Sequence, residues 1–590
     1  MVKDNIEALR QAMRSSKVDA VVIPKTDPHQ SEYLCEYWDI VKWLTGFTGS
    51  NATVVVAADA AGLWTDSRYY LQAEQELEGS DVVMYREDSA DDYTVSQWIA
   101  ANAPQGGMVA INGYLFSVAM VNAMDMFCGG EGFMLAVDFN PYDRIWTNRP
   151  ALPSSEVYIH DVEFAGECAE NKIARVLESL DSADALIITS LDEIAWTLNI
   201  RGADIAYNPL VVSYLYISED RRVLFIDSDR LTAEVKDYLK GLSIQVLPYD
   251  GVTKFIKGLS YETTLMIDPE VCSDALARRA ECGIVYSSSP IKGLKAVKNS
   301  VQLDGVREAV IRDGISLVEL YIWLESGVVK GEIRESDVAT KYVDIKSGNK
   351  YYKGESFGMI CGYGDNGAIV HYSAKSGSDK LIEGDNLLLI DCGSQYLDAT
   401  TDITRTVSLG SVTQQQRKDY TLVLKGHLAI GMQSFPVGTR GAQLDALARQ
   451  FLWREGLAYF HGTGHGIGSF LGVHEGPQSI RLNENPTPLE VGMILSNEPG
   501  LYRQGEYGIR IENMVSVCEG VETQFGRFLE FETLSLFPYD KNLIVTEMLT
   551  DDELDWVNIY HQRVMDTLSP YLSVEAKEWL ADKTEKLIKK

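Results

Sequence analysis

The chain of 590 residues carries 53 basic and 85 acidic side chains, which gives a formal net charge of −32 at pH 7. A field of that sign repels nucleic acid and anionic membrane surfaces, so neither is expected as a partner. With 45% apolar and 23% charged residues, the composition is that of a soluble globular protein with several cores rather than one.

The N-terminal sequence MVKDNIEALRQAMRSSKVDAVVIP predicts an amphipathic helix followed by a buried strand, with no apolar signal core. The sequence holds no apolar run of about 18 residues that could span a bilayer. The eight cysteines are scattered without a CxxC pair, as expected of reduced thiols. A cytoplasmic protein is therefore expected.

Three domains are predicted along the chain. Residues 1–152 alternate helical patterns with short apolar strands such as AVVIP, ATVVVAA and GMVAING, and NRPALPSSE marks their end. Residues 153–293 repeat this pattern with ADALIITS, VLFID and TTLMIDP. Residues 294–590 begin with long amphipathic helices and continue as strands and turns from about 376. A C-terminal extension, at about 530–590, is predicted to be helical around TDDELDWVNIYHQRVMDTLSPYL.

Within the third domain, NLLLIDCGSQYLDATTDITRTVSLG carries two aspartates on apolar runs. We predict a hairpin centred between residues 396 and 397, which would place Asp391 directly opposite Asp402. Two ionised carboxylates with Cβ atoms about 5 Å apart repel each other, and a bound cation would neutralise both. The alternative is a pair of surface aspartates on a solvated sheet face.

Two glutamates extend this pattern. Glu498 follows an apolar strand in VGMILSNEPGLY, and Glu512 is predicted to lie within a strand in EYGIRIENMVSV. Buried glutamates need a partner, because an unpaired buried charge is costly. With the two aspartates and one histidine they make five ligands, which suits two divalent ions. The oxygen-rich set favours Mn²⁺ or a similar hard ion over structural zinc.

The stretch HGTGHGIGSFLGVHEGP, from 461 to 477, contains three of the eight histidines among six glycines. By itself it is typical of a glycine-rich loop. The HxxxH spacing of His461 and His465 does not indicate a helical zinc site, because the glycines disfavour a helix and HExxH is absent. GYGDNG, at 362–367, fits GxGxxG but precedes AIVHYS, a predicted strand, so we predict a turn and no dinucleotide site.

Together these motifs resemble the aminopeptidase P (Xaa-Pro aminopeptidase) family of pita-bread metallopeptidases. DPHQSEYL, WTDSRYYLQAEQEL and SLDEIAWTLNIRGADIAYNP are similar to the long, three-domain cytosolic form of that family. The resemblance implies an α/β and α+β fold, in which two creatinase-N-like α/β domains precede a C-terminal pita-bread catalytic domain. It also implies a homodimer and peptide substrates with proline at the second position.

The resemblance assigns the five metal ligands. Asp391 would bind one ion, His465 and Glu498 the other, and Asp402 and Glu512 would bridge both. Water between the two ions would supply a hydroxide that attacks the carbonyl of the first residue, and Glu498 would accept its proton.

Further matched residues would handle the substrate. His371, His461 and His474 correspond to active-site histidines that bind no metal. The resemblance assigns His474 and His371 to the developing gem-diolate and to proton delivery toward the proline nitrogen, and His461 to the proline side. Tyr502 and Arg510 correspond to supporting positions, and Arg510, two residues before a proposed bridging glutamate, is expected to share its strand face.

Other functions remain as alternatives. A prolidase shares the five ligands but acts on Xaa-Pro dipeptides, and the two preceding domains argue against it. Methionine aminopeptidases are typically shorter, and creatinases lack the ligands. A catalytically silent binding protein on the same scaffold would have lost ligands, whereas all five are present here.

Overall fold

The computed structural model describes residues 2–87, 89–374, 377 and 379–589. The chain forms two compact units: Met1–His160 with Glu167–Lys292, and Asp161–Gly166 with Gly293–Lys590. The three-domain boundaries at 152 and 293 stay a prediction. None of the helices in the described ranges is both long and apolar enough to cross a membrane.

The first unit contains two six-stranded sheets. The strands of the first sheet are β1 (Ala20–Pro24), β2 (Thr53–Ala57), β3 (Ala61–Thr65), β4 (Val83–Arg86), β5 (Met108–Ala110) and β6 (Met134–Ala136). After β7 (Tyr158–Ile159), the second sheet uses β8 (Ala185–Ile188), β10 (Tyr214–Ser218), β11 (Arg222–Phe225), β12 (Ile244–Leu247), β13 (Thr264–Ile267) and β14 (Gly283–Tyr286), while β9 (Ile200–Arg201) pairs with β7. The predicted strands AVVIP, ADALIITS, VLFID and TTLMIDP are confirmed.

The two sheets share one topology. Their strand orders are β4-β3-β2-β1-β5-β6 and β12-β11-β10-β8-β13-β14. In each sheet, the third strand of this order, β2 or β10, pairs antiparallel with both of its neighbours. The other three pairings of each sheet are parallel. The same order and strand directions in both sheets support two related α/β domains, although the sequence shows no clear repeat.

Helices connect these strands, as the alternating sequence pattern predicts. They are Val2–Ser16, Ile40–Thr45, Tyr70–Glu76, Val95–Asn102, Val118–Glu131, Tyr142–Ile145, Ala169–Glu178, Leu191–Leu198, Ala233–Gly241, Gly251–Lys257 and Asp274–Ala277. A further helix, Pro290–Ala296, spans the division between the units.

Long helices of the second unit pack around its sheets. The 31-residue helix Ser300–Lys330 begins at a capping box formed by Asn299 and Gln302 and ends at Gly331, whose φ of 70° suits the left-handed cap. The other helices are Val162–Ala165, Glu335–Lys346, Gln414–Gly431, Gly441–Trp453, Asp551–Leu568 and Val574–Lys583. The predicted helical C-terminal extension is confirmed.

The strands of the second unit pair antiparallel throughout the described residues. They are β15 (Tyr352–Gly354), β16 (Ile360–Tyr363), β17 (Asn386–Cys392), β18 (Gln395–Tyr396), β19 (Ala399–Thr400), β20 (Ile403–Leu409), β21 (Phe435–Pro436), β22 (Gly464–Gly466), β23 (Glu475–Ile480), β24 (Ile494–Asn497), β25 (Gly500–Arg503), β26 (Tyr507–Arg510), β27 (Asn513–Thr523) and β28 (Gly526–Thr533). The larger sheets have the orders β16-β17-β20 and β21-β28-β27-β24-β22-β23.

Candidate metal centre

The hairpin that carries the two aspartates has a different register from the predicted one. Strands β17 and β20 place Asp391 opposite Thr404, and the chain turns between Leu397 and Asp398. The predicted centre between 396 and 397 is therefore wrong, because the tight turn uses these two residues. Asp402 lies two positions from the residue opposite Asp391, so both side chains still belong to the same face, as diagonal neighbours.

His465 lies in β22, and Glu498 directly follows the neighbouring strand of the large sheet, β24. Glycine is required at Gly464, because a Cβ there would overlap the carbonyl oxygen of Ser496 on β24. This close approach brings His465 Nε2 to 3.4 Å from Glu498 Oε1. The same nitrogen lies 3.6 Å from Asp402 Oδ2 on the hairpin.

The tautomer of His465 follows from its other ring nitrogen. Nδ1 lies 2.9 Å from the carbonyl oxygen of Gly466, which can only accept, so Nδ1 carries the hydrogen. The lone pair of Nε2 then faces two carboxylate oxygens. Three acceptors directed at one point are the arrangement of a cation site.

Glu512 lies outside a regular strand, contrary to the prediction. Strand β26 ends at Arg510 and β27 begins at Asn513, so Glu512 occupies a two-residue crossing between two sheets. Its amide donates to the carbonyl of Thr404 at 3.1 Å, which interrupts the strand and fixes the crossing. The hydroxyl of Thr404 donates to Glu512 Oε2 at 2.7 Å and orients the carboxylate.

The donor set fits divalent cations. Asp402, His465 and Glu512 offer ligand atoms that all lie within 4.8 Å of one another. Asp391 Oδ1, Asp402 Oδ1 and Glu512 Oε1 are buried and accept no hydrogen bond from the described residues. A buried anionic oxygen without a donor is costly, and a cation removes that cost. Four carboxylates and one imidazole match the ligands of a two-ion oxygen-rich centre.

The pKa values of the candidate carboxylate ligands also support a cation site. Burial, reinforced by the charge of Asp391 and opposed by that of Arg510, raises the pKa of Glu498 to about 7. The same causes, burial first, hold the pKa values of Asp402 and Glu512 well above the ordinary carboxyl range. Cations therefore compete with protons for these oxygens, as in any site whose ligands must be deprotonated.

Arg510 joins the candidate ligand Asp391 to Tyr502 and His461. Its Nη2 donates to Asp391 Oδ2 at 2.6 Å, and its Nη1 donates to the hydroxyl of Tyr502 at 2.8 Å. Its Nε lies 3.3 Å from the hydroxyl of Thr404. His461 Nε2 continues this chain, 2.9 Å from the Tyr502 hydroxyl. Tyr502 and Arg510 thus contact each other, and Arg510 contacts Asp391. The prediction that Arg510 shares a strand face with Glu512 is wrong, because β26 ends at Arg510 and Glu512 lies outside a strand.

The three predicted substrate histidines occupy different places. The ring of His474 stands edge-on to that of His465, with centroids 4.4 Å apart, and it lowers the pKa of Glu498 against the larger effect of burial. His371 follows the 3-10 helix Gly364–Ala368 in a turn, so the predicted strand AIVHYS is wrong. The backbone there bends because the amide of Tyr372 donates to the carbonyl of Ile369 at 3.0 Å.

Sequence reasoning missed two hydroxyl residues of this centre. Thr404 bridges Arg510 and Glu512, as described above. Ser496 accepts from the amide of His465 at 3.0 Å and donates to Glu498 Oε1 at 3.2 Å. Neither hydroxyl has a signature of its own, because serine and threonine are common in strands and only the fold shows their partners.

Four segments of the chain match known protein families. Residues 304–519 match metallopeptidase family M24, and 527–587 match the C-terminal region of peptidase M24. Residues 5–135 and 148–302 each match a creatinase/prolidase N-terminal domain. These matches confirm the predicted fold class, with two creatinase-N-like domains before a pita-bread domain.

Full-length relatives are also found. Aminopeptidase P2 from Arabidopsis thaliana is 37% identical, with 100% of this chain and 89% of the relative covered. A probable Xaa-Pro aminopeptidase P from Aspergillus niger is 38% identical over 99% of both. The crystal structure of an X-prolyl aminopeptidase from Caenorhabditis elegans, described as a cytosolic enzyme with a di-nuclear active site, is 32% identical, covers 100% of both chains and has a TM-score of 0.95.

Proposed function

The chain belongs to the Xaa-Pro aminopeptidase P family, whose members are metallopeptidases, and on that premise we propose that it removes the first residue from peptides with proline at the second position. One observation carries the proposal: Asp402, His465 and Glu512 offer ligand atoms within 4.8 Å of one another, Glu498 faces the same histidine, and Asp391 Oδ1, Asp402 Oδ1 and Glu512 Oε1 accept no hydrogen bond from the described residues.

The proposed cofactor is a pair of Mn²⁺ ions. Asp391 would hold one ion and His465 with Glu498 the other, while Asp402 and Glu512 would bridge them. The oxygen-rich donor set supports a hard ion. Two such ions, when bound, acidify a shared water enough to make it a nucleophile near neutral pH.

Glu498 is the proposed proton acceptor. Its Oε1 accepts from the hydroxyl of Ser496 and faces His465, and these contacts fix its orientation. A carboxylate held beside the attacking water is suited to accepting its proton. We propose that His474, whose ring stands edge-on to that of His465, donates to the developing gem-diolate.

The substrate itself explains why a dedicated site is needed. An Xaa-Pro bond has no N–H, and the proline ring fixes φ, so an enzyme that relies on that hydrogen bond or on a flexible residue is poorly matched. We propose that His371 helps protonate the proline nitrogen as it leaves. The hydrogen-bonded side chains of His461, Tyr502 and Arg510 would line the proline side of the site, and their hydrogen bonds would hold that lining rigid.

The test is hydrolysis of an Xaa-Pro-Pro tripeptide beside the matching Xaa-Pro dipeptide by Mn²⁺-reconstituted protein, with Glu498→Ala as control. Release of the first residue mainly from the tripeptide, lost in the control, is expected. A clear preference for the dipeptide would instead indicate a prolidase. No cleavage of either, with no bound metal, would indicate a silent binding protein.

We also propose a homodimer in the cytoplasm. The support is the similarity to the nematode enzyme described as cytosolic, together with the family resemblance. Light scattering of the purified protein checks the first part, with twice the mass of one chain as the expected result. Cell fractionation checks the second.

A further inference from the structure

Three buried charged side chains lie behind the segment that carries His474. Lys295 Nζ lies 3.0 Å and Lys298 Nζ 3.4 Å from Glu475 Oε1. None of the three side chains is more than 2% exposed. Burying two ammonium groups and one carboxylate costs several kcal/mol of desolvation per ion, so such a cluster is weak evidence for a stabilising role. A role in holding the Glu475 side chain in one position accounts for the cluster better.

The carboxylate of Glu475 packs inside the loop that joins His465 to His474. The backbone of Glu475 pairs with that of Gly466, directly after His465. At Gly468, a Cβ would lie 2.7 Å from Glu475 Oε2, so the carboxylate occupies space that only a glycine leaves free. The loop is closed by the amide of Gly468, which donates to the carbonyl of Gly472 at 3.0 Å.

The lysine segment is itself fixed to a second strand of the centre. The amide of Lys298 donates to the carbonyl of Gly492 at 3.0 Å, and Val297 forms an antiparallel bridge with Met493. Met493 directly precedes β24, the strand that leads to Glu498. The short stretch 295–298 therefore connects the start of β23, next to His474, with the start of β24.

We propose that Lys295 and Lys298 are positioning residues, which hold Glu475 in the loop and thereby set the ring of His474 against His465. The proposal rests on the proposed peptidase function of this centre. Both lysines act through Glu475 and touch neither substrate nor metal. Two ammonium groups on one carboxylate oxygen fix its position more tightly than one, because moving the oxygen would lengthen both ion pairs.

The test uses Lys298→Met, which keeps the length of the side chain and removes its charge. We expect kcat for the tripeptide to fall about 10-fold, with KM changed by less than about twofold, because a displaced catalytic group affects the reacting geometry more than binding. The metal content should remain that of the wild type. Lys353→Met, at an exposed position of β15, is the matched control and should leave kcat unchanged.

A double-mutant cycle separates positioning from general damage. In a His474→Ala background, Lys298→Met should cause no further loss of kcat, because the residue through which it acts is gone. An equal loss in both backgrounds, or an unchanged kcat in the single variant, would overturn the proposal. Lys295→Met provides a second, independent variant: like Lys298→Met it leaves one ion pair to Glu475, so if one variant fails to fold the other still tests the proposal.

This outcome is distinguishable from failure of the proposed function. If the wild-type protein, loaded with Mn²⁺, cleaves neither peptide, the function is wrong. If the wild type is active and the two effects are additive, only the positioning role of the lysines is wrong.

Discussion

Replacing His427 by glutamine is expected to remove one defined contribution to the acid sensitivity of the second unit. His427 lies in the helix Gln414–Gly431 and is 1% exposed. Its Nδ1 donates to the carbonyl of Asn497 at 3.0 Å, so Nε2 is the acceptor, 2.9 Å from the Tyr539 hydroxyl and 3.2 Å from Asn513 Nδ2. A second proton would therefore face hydrogen-bond donors. Burial, aided by the charge of Arg405, lowers the pKa of His427 to about 3.

The direction and size of the change in stability with pH follow from that pKa. In the unfolded chain a histidine titrates near 6.5, so below this pH the unfolded state binds a proton that the folded state excludes. The stabilisation is present above the unfolded pKa and is lost as the pH falls toward the folded value of about 3. Between pH 7 and pH 5, the loss is about 2 kcal/mol, or about 25-fold in the unfolding equilibrium.

The assay is native-state hydrogen exchange of the amides in this helix at pH 7 and pH 5, corrected for the intrinsic exchange rate at each pH. The wild type should lose about 2 kcal/mol more protection than His427→Gln over this interval, because glutamine does not titrate. The test compares how much protection each protein loses between pH 7 and pH 5, so a destabilisation of the variant that is equal at both pH values does not affect it. An equal loss of protection in the two proteins would refute the reasoning.

Four further outcomes are expected. Glu498→Ala should abolish turnover while circular dichroism shows an intact fold, and a variant that still turns over would exclude it as the proton acceptor. His474→Ala should lower kcat while elemental analysis finds the wild-type metal content; loss of metal would make it a ligand. Arg510→Met removes the ion pair to the candidate metal-binding aspartate and should weaken Mn²⁺ binding about 10- to 100-fold in a competitive chelator titration, whereas unchanged affinity would contradict its orienting role. Gly464→Ala should cost about 1–3 kcal/mol in thermal unfolding, because its Cβ overlaps a carbonyl of β24, and Gly348→Ala, which meets no atom within 4 Å, should not.

Local sequence patterns predicted the four candidate carboxylates and most elements, whereas the choice of His465 among the histidines of its loop came from the family resemblance. Acidic residues at the ends of apolar runs identified the four carboxylates, since a buried charge without a partner is costly. The first helix and strand, Val2–Ser16 and Ala20–Pro24, follow from periodicity and are confirmed.

Long-range contacts decided the features that the sequence could not provide. The hairpin register depends on a tight turn at Leu397 and Asp398, and the crossing at Glu512 depends on its hydrogen bond to another strand. The lysines of KGLKAVKNS resemble those of an ordinary solvated helix. Lys298 meets its carboxylate partner, Glu475, 177 residues along the chain, and no periodicity marks such a pair.

The most direct test of the central claim is anomalous diffraction at the manganese edge from crystals grown with Mn²⁺. The account predicts two peaks, both among the oxygens of Asp391, Asp402, Glu498 and Glu512, with the second also beside His465 Nε2. A single peak, or peaks away from these five side chains, would contradict it.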